Sequence, residues 1–289
     1  ALRIEGLSLQ NETTVRNLSG FSSGAPATEA ALLDYQERLL RTGLYERISV
    51  TLDTERADPS GTPVIVRVSE APIQQATVGV GISANTGPRL SLEHTHRRVF
   101  GERATARNKL ELGRLRQAWE GELSSHAQPN LYRNLLGGTF ERLVADDDTD
   151  VVRSARLRLG RTRETTREEQ YTFVQLERAD RTTATSREGI NAASINHHAV
   201  WRNVDNVLLP TQGYSVSLQT GLGFARGGSD QGPYGRVLAR LGVWQPLGGQ
   251  WYGSGRLELG QVFVREKLAV PQTQLFRAGG DDSVRGYAY

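Results

Sequence analysis

From residue 73 onward, apolar and polar side chains alternate with a period of two. The clearest run begins at Tyr214, where Val216 and Leu218 continue one face and Ser215 and Ser217 form the other. Such alternation predicts β-strands with one apolar and one polar face. Runs of about ten residues exceed the roughly five or six that are typical of strands in soluble proteins. The pattern predicts eleven strands, at residues 75–84, 89–99, 103–114, 117–126, 134–145, 151–163, 169–180, 190–202, 213–225, 234–245 and 251–265.

Long strands with one apolar face are typical of outer-membrane β-barrels, in which that face meets lipid and the polar face meets a wet lumen. No run approaches the ~18 consecutive apolar residues of a membrane helix, which excludes the class of α-helical membrane proteins. Bacterial barrels close with an even number of strands. Because eleven is odd, we expect this sequence to stop before its barrel is complete.

The first 72 residues follow a different pattern, with the predicted order β-α-α-β-β. The helices are predicted from Glu12 to Leu18 and from Thr28 to Arg41, with Asn11 and Thr28 as N-caps. The strands are predicted at residues 2–6, 45–53 and 63–70. In the longer helix, the spacing predicts three leucines that pack against the sheet, which are Leu32, Leu39 and Leu40.

The predicted fold class is therefore mainly β, with two domains. Residues 1–72 form a small α+β domain, and residues 73–289 form the first part of an antiparallel transmembrane β-barrel. About eleven strands of that barrel are present in the chain.

Composition narrows the possible chemistry. The chain has no Cys, which excludes disulfide scaffolds, Cys-ligated zinc, iron–sulfur clusters and thiol catalysis. Its formal net charge is +3, and its 35 basic residues are all Arg except Lys109 and Lys267. The arginines are spread along the alternating segments, which favours polar strand faces over a surface that binds nucleic acid. We expect no nucleic-acid partner.

Two glycine-rich stretches match motifs of other protein classes. Ser22 lies in a G-x-S-x-G sequence, the nucleophile elbow of hydrolases, but that motif requires a turn from a strand into a helix. Here it lies between two predicted helices, so a plain Ser/Gly loop is favoured. Gly79, Gly81 and Ala84 fit a dinucleotide-binding pattern, but a second strand follows where a phosphate-binding helix is required.

The histidines are a further candidate for metal binding. His94 and His96 share one face of a predicted strand, and His197 is followed by His198. Both sets lack a third ligand at a recognisable spacing, so polar residues near a membrane interface are the favoured interpretation. We expect no metal and no cofactor.

Three landmarks resemble one known family, the outer-membrane β-barrel assembly superfamily, which includes BamA, TamA and the two-partner-secretion transporters. Gly43-Leu44-Tyr45 and the segment 63–70 resemble parts of its last POTRA domain. Val78-Gly79-Val80-Gly81-Ile82-Ser83 resembles its first barrel strand. The most specific landmark is residues 276–287, which closely match the loop-six VRGY motif and its lead-in. Within the superfamily, residues 90–112 resemble the second and third strands of TamA.

The resemblance implies a sixteen-stranded barrel in the bacterial outer membrane, with the POTRA domain in the periplasm. It implies a non-enzymatic factor that helps to insert or secrete β-barrel or autotransporter proteins without nucleotide. The implied partners are unfolded clients, outer-membrane lipid and a periplasm-spanning protein of the inner membrane. Two alternatives stay open, a two-partner-secretion pore for unfolded polypeptide and, less favoured, a hydrolase that uses the Ser22 elbow.

The resemblance also implies two functional elements. The first is loop six, which folds into the lumen and carries Val284, Arg285, Gly286 and Tyr287. There Arg285 is expected to pair with an acidic residue on a strand that follows the loop. The second is a weakly paired lateral seam formed by the first strand, whose residues are Val78, Gly79, Val80, Gly81 and Ile82.

Overall fold

The computed structural model contains two compact units, one formed by Ala1–Thr139 with Leu159–Glu169 and the other by Phe140–Arg158 with Gln170–Tyr289. No helix among the described residues has the length and apolar character needed to cross a membrane. The structure describes residues 2–22, 24–53, 61–83, 87–144, 150–249, 251–265 and 268–275.

The first unit begins with a small α+β part in the predicted order β-α-α-β-β. Its central strand is β3 (Val64–Glu70), with β1 (Leu2–Glu5) parallel to it on one side and β2 (Tyr45–Leu52) antiparallel on the other. Both predicted helix caps are confirmed, since the Asn11 side chain accepts from the Thr13 amide and Thr28 Oγ1 accepts from the Ala31 amide. The element bounds are β1 Leu2–Glu5, α1 Glu12–Asn17, α2 Glu29–Arg41, β2 Tyr45–Leu52 and β3 Val64–Glu70.

The core of this part is formed where α2 packs against the sheet. Tyr35 and Leu39 of α2 are fully buried, together with Val66 of β3, and Leu32 packs against this cluster while partly buried. The expected burial of Leu40 is wrong, because its side chain is 41% exposed. Residues 32, 35 and 39 follow one helical face, whereas the residue after Leu39 is rotated by about 100° around the helix axis.

The eleven predicted strands are confirmed as one antiparallel sheet whose strands are neighbours in sequence order. The predicted alternation is also confirmed, as on β10 (Glu168–Thr182), where Gln175 and Glu177 are buried while Val174 and Leu176 are about half exposed. We call these two sides the polar face and the apolar face of the sheet. The strands are β4 Gln74–Ser83, β5 Gly87–His96, β6 Ala104–Gly113, β7 Arg116–Ser125, β8 Tyr132–Val144, β9 Val151–Glu164, β10 Glu168–Thr182, β11 Arg187–Val204, β12 Gly213–Gly227, β13 Asp230–Gly248 and β14 Trp251–Phe263.

Arg97, which follows β5, connects the α+β part to the start of the sheet within the first unit. Its Nε donates to the Gly43 carbonyl at 2.7 Å, and its Nη1 donates to the Pro72 carbonyl at 2.8 Å. Its Nη2 donates to Gln75 Oε1 of β4 at 2.8 Å. One side chain therefore binds the turn after α2, the connection after β3 and the first strand of the sheet.

We expect Leu39→Ala to lower the free energy of unfolding of the α+β part by about 2–5 kcal/mol, because it leaves a cavity in the core. Leu40→Ala, the same change one residue later on an exposed position, should cost less than about 0.5 kcal/mol. Hydrogen exchange of the α2 and β3 amides measures both values. Equal costs for the two variants would contradict the assignment of the buried face.

Glu70 at the end of β3 predicts a pH dependence. Burial raises the pKa of its carboxyl, but hydrogen bonds from the Gln10 amide, the Ser8 hydroxyl and the Leu9 amide, each at 2.7 Å, outweigh burial and lower the pKa below its ordinary value. The contribution of Glu70 to stability should therefore be complete at neutral pH and be lost as the pH falls through the lowered pKa. The difference in stability between wild type and Glu70→Gln, measured by denaturation across pH, should shrink on acidification. A difference that stays constant with pH would show that the charged form is not the one stabilised.

Candidate functional site

The first candidate element is β4, which lies at one end of the strand order. It pairs with β5 over ten residues, from Gln74 opposite His96 to Ser83 opposite Gly87. Within the described ranges of the chain, no second strand pairs with β4. A strand in this position presents backbone N–H and C=O groups along its other side.

The two faces of β4 differ strongly in side-chain size. On the apolar face, Val78, Val80 and Ile82 are 65%, 84% and 86% exposed. On the polar face, the residues between these three are Gly79 and Gly81. This part of the strand therefore has no side chain on the polar face that could pack against β5 and strengthen the pairing.

The neighbouring strand β5 occupies the space that the two glycines leave. A Cβ atom on Gly79 would lie 2.6 Å from Ser91 Oγ, and one on Gly81 would lie 3.0 Å from Arg89 Nε. The Ser91 hydroxyl donates to the Gly79 carbonyl only at 3.4 Å, a long hydrogen bond. Around these two glycines, the attachment of β4 to the sheet thus depends mainly on its backbone pairing with β5.

The second candidate element belongs to the second unit and is the 268–275 segment, which follows β14 and lies against the polar face. Leu268 and Val270 are buried in a cluster whose other members are Ala192, Ala225 and Tyr234. These partners lie on β11, β12 and β13. The segment therefore covers three neighbouring strands with apolar side chains in a region where the sheet is otherwise polar.

Polar contacts attach the end of this segment to the sheet. Thr273 Oγ1 donates to Glu177 Oε1 at 2.5 Å, and Gln274 Nε2 donates to Glu177 Oε2 at 3.0 Å. Arg236 Nη1 donates to Gln274 Oε1 at 3.2 Å. Gln274 and Glu177 are 3% and 4% exposed, so the hydrogen bond between them is shielded from solvent.

The loop-six motif itself, Val284, Arg285, Gly286 and Tyr287, lies outside the described residues, as does the lead-in from Phe276. The 268–275 segment directly precedes that lead-in. Sequence reasoning missed the pairing of Glu177 with Gln274. The alternation on β10 does place the side chains of Gln175 and Glu177 on the polar face, and this signal could have singled out Glu177.

The other candidate residues are not brought together into a reactive site. Ser22 lies in the loop between α1 and α2, so the strand-to-helix turn of a nucleophile elbow is not formed there. The rings of His94 and His96 lie 6.5 Å apart, and His197 Nδ1 forms a hydrogen bond with Thr172 Oγ1 at 2.8 Å. Among the residues that the structure describes, no group of three His, Asp or Glu side chains could bind a metal.

Comparison with known proteins identifies the family. A family model described as the Omp85 superfamily domain matches residues 74–289. This chain belongs to the Omp85 superfamily. The match confirms the resemblance that β4 and the sequence after it indicate. A comparison of this Omp85 chain with curated proteins found no match.

Solved structures share the fold of this Omp85 chain. BamA from Haemophilus ducreyi lacking POTRA domains 1–3 is 17% identical, with a TM-score of 0.66 over 99% of this chain and 59% of that one. CdiB from Acinetobacter baumannii is 12% identical, with a TM-score of 0.54 over 99% and 56% of the two chains. CdiB from Escherichia coli is 13% identical, with a TM-score of 0.55 over 99% and 57%. The chain thus spans less than two thirds of each of these structures, and the likeness shows the fold.

The two faces of β12 give a test with neighbouring residues. Leu218 lies on the apolar face, and Gln219 lies on the polar face opposite Leu238. If the apolar face of this Omp85 chain meets lipid, Leu218→Arg should cost about 2–4 kcal/mol near the bilayer midplane and Gln219→Arg much less. Folding into vesicles at a series of urea concentrations measures both. Equal costs would show that the assignment of the faces is wrong.

Proposed function

We propose that this chain belongs to an outer-membrane factor that inserts or secretes β-barrel or autotransporter proteins through a lateral seam at β4. The observation that supports the proposal best is the position of β4 at the end of the sheet, with Val80 and Ile82 more than four fifths exposed and Gly79 and Gly81 between them and Val78 on the polar face. The function requires neither nucleotide nor catalytic chemistry.

The physical argument starts from the backbone of an end strand. Its N–H and C=O groups can pair with an incoming extended segment, so that β4 acts as a template by β-augmentation. Each added residue pair satisfies groups that are costly to bury in lipid without a partner. The few side-chain contacts of β4 with β5 make the seam easier to open than a strand boundary with interlocking side chains.

The remaining parts of the chain have supporting roles in this proposal. Residues 1–72 act as a POTRA domain in the periplasm, and the apolar face of the sheet contacts the lipid of the outer membrane. Arg285 anchors loop six in the lumen by pairing with an acidic residue on a later strand, as the family resemblance implies. The clients are unfolded outer-membrane or autotransporter proteins, with a periplasm-spanning inner-membrane protein as a further partner. The placement nearest to TamA is part of the same proposal.

A pore for unfolded polypeptide is the second candidate. The polar face supports it, because it carries exposed ion pairs such as Arg240 with Glu258 at 2.9 Å and Lys109 with Glu93 at 2.9 Å. A hydrated face of this kind suits a polypeptide that passes through the lumen. In that case β4 would not contact the client.

Cysteine cross-linking separates the two candidates, because the chain has no Cys of its own. In the full-length protein, Val80→Cys on β4 should form a disulfide with a single Cys in the terminal strand of a stalled client. Ser217→Cys, in the middle of the polar face on β12, should not. Cross-links at position 217 and none at position 80 would favour the pore and reject the seam.

A further inference from the structure

Glu177 is an almost fully buried carboxylate on the polar face, and the proposed seam makes no use of it. A buried carboxylate is costly unless its oxygens accept hydrogen bonds. Glu177 accepts three, from Thr273 and Gln274 of the 268–275 segment and from Gln175 of its own strand at 2.9 Å. Two of the three bonds that stabilise the charge therefore come from the segment after β14.

The two glutamines also connect Glu177 to arginines. Each glutamine donates a hydrogen bond from its amide nitrogen to the carboxylate, so its amide oxygen faces away from Glu177. Arg158 Nε donates to Gln175 Oε1 at 2.8 Å, and Arg236 Nη1 donates to Gln274 Oε1 at 3.2 Å. Hydrogen bonds in such a chain polarise one another, so the carboxylate and the two guanidinium groups strengthen the amide contacts between them.

We propose that Glu177 is a positioning residue that anchors the 268–275 segment, and with it the start of loop six, to β10. This anchor is additional to any contact of Arg285, and on the side of the sheet it is made by residues of strands that precede the loop. It rests on contacts within the second unit and does not depend on whether the chain acts as an insertase or as a pore.

The anchor shortens the length of chain between the loop-six motif and its nearest attachment to the sheet. Arg285 follows Phe263, the last residue of β14, by 22 positions and follows Gln274 by 11. At about 3.3–3.6 Å per extended residue, the reach from the anchor is roughly half the reach from the strand end. Contacts at Thr273 and Gln274 thus halve the number of residues between Arg285 and the nearest described attachment to the sheet.

Labelling of a buried cysteine tests the anchor in the full-length protein. Val270→Cys places a thiol at a position that is 8% exposed, in a chain that otherwise has no Cys. In this background, Glu177→Leu should raise the rate of maleimide labelling roughly tenfold or more, as expected when hydrogen bonds to a charged group are lost. Glu177→Gln, which keeps one acceptor oxygen, should have an intermediate rate.

The matched control is Glu258→Leu on the polar face of β14, where the carboxylate pairs with Arg240. It removes the same charge from the same face and should leave the labelling rate unchanged. The segment-side variant, Thr273→Val with Gln274→Leu, leaves β10 intact and should raise labelling as Glu177→Leu does. Combining it with Glu177→Leu should add little, because both changes remove the same bonds.

The outcomes are distinct. Non-additive effects of the Glu177 and segment-side variants, with an unchanged control, support the anchor. Unchanged labelling in Glu177→Leu, or effects that simply add, overturn it. Labelling is measured without client, so a failure of the cross-linking at position 80 would reject the seam and leave the result for the anchor intact.

Discussion

The two-residue period of a pleated strand is the constraint on which this structure depends, because it separates two chemistries along one backbone. On β10, Val174 and Leu176 face one side while Gln175 and Glu177 face the other. A shift of one residue in any pairing would exchange the two faces of that strand. The registers between neighbouring strands therefore decide both what the apolar face presents and which polar groups meet the 268–275 segment.

The elements that depend on local sequence could be predicted well. All eleven strands of the sheet follow from alternation, and the caps Asn11 and Thr28 follow from the side-chain oxygen that each can offer to a helix amide. Strand ends were less predictable, as for β11, which extends from Arg187 to Val204 and exceeds the predicted 190–202 at both ends. Polar residues at strand ends can continue backbone pairing without continuing the alternation.

Contacts between distant parts of the chain could not be predicted in this way. Gln274 and Glu177 are 97 positions apart, and only the fold brings their side chains together. The error at Leu40 has a related cause, because helical spacing gives the direction of a side chain but not the width of the surface that covers it. The family motif around Arg285, in contrast, is recognisable in sequence and lies outside the described residues.

The three hydrogen bonds of Arg97 have a mechanical consequence. A guanidinium is planar, so its donors to Gly43, Pro72 and Gln75 keep a fixed geometry relative to one another. A rotation of the α+β part about residue 72 must either break these bonds or pull on the first residues of β4. A load on the N-terminal part of the molecule is thereby transmitted, in part through this side chain, to the strand whose backbone edge is available for pairing.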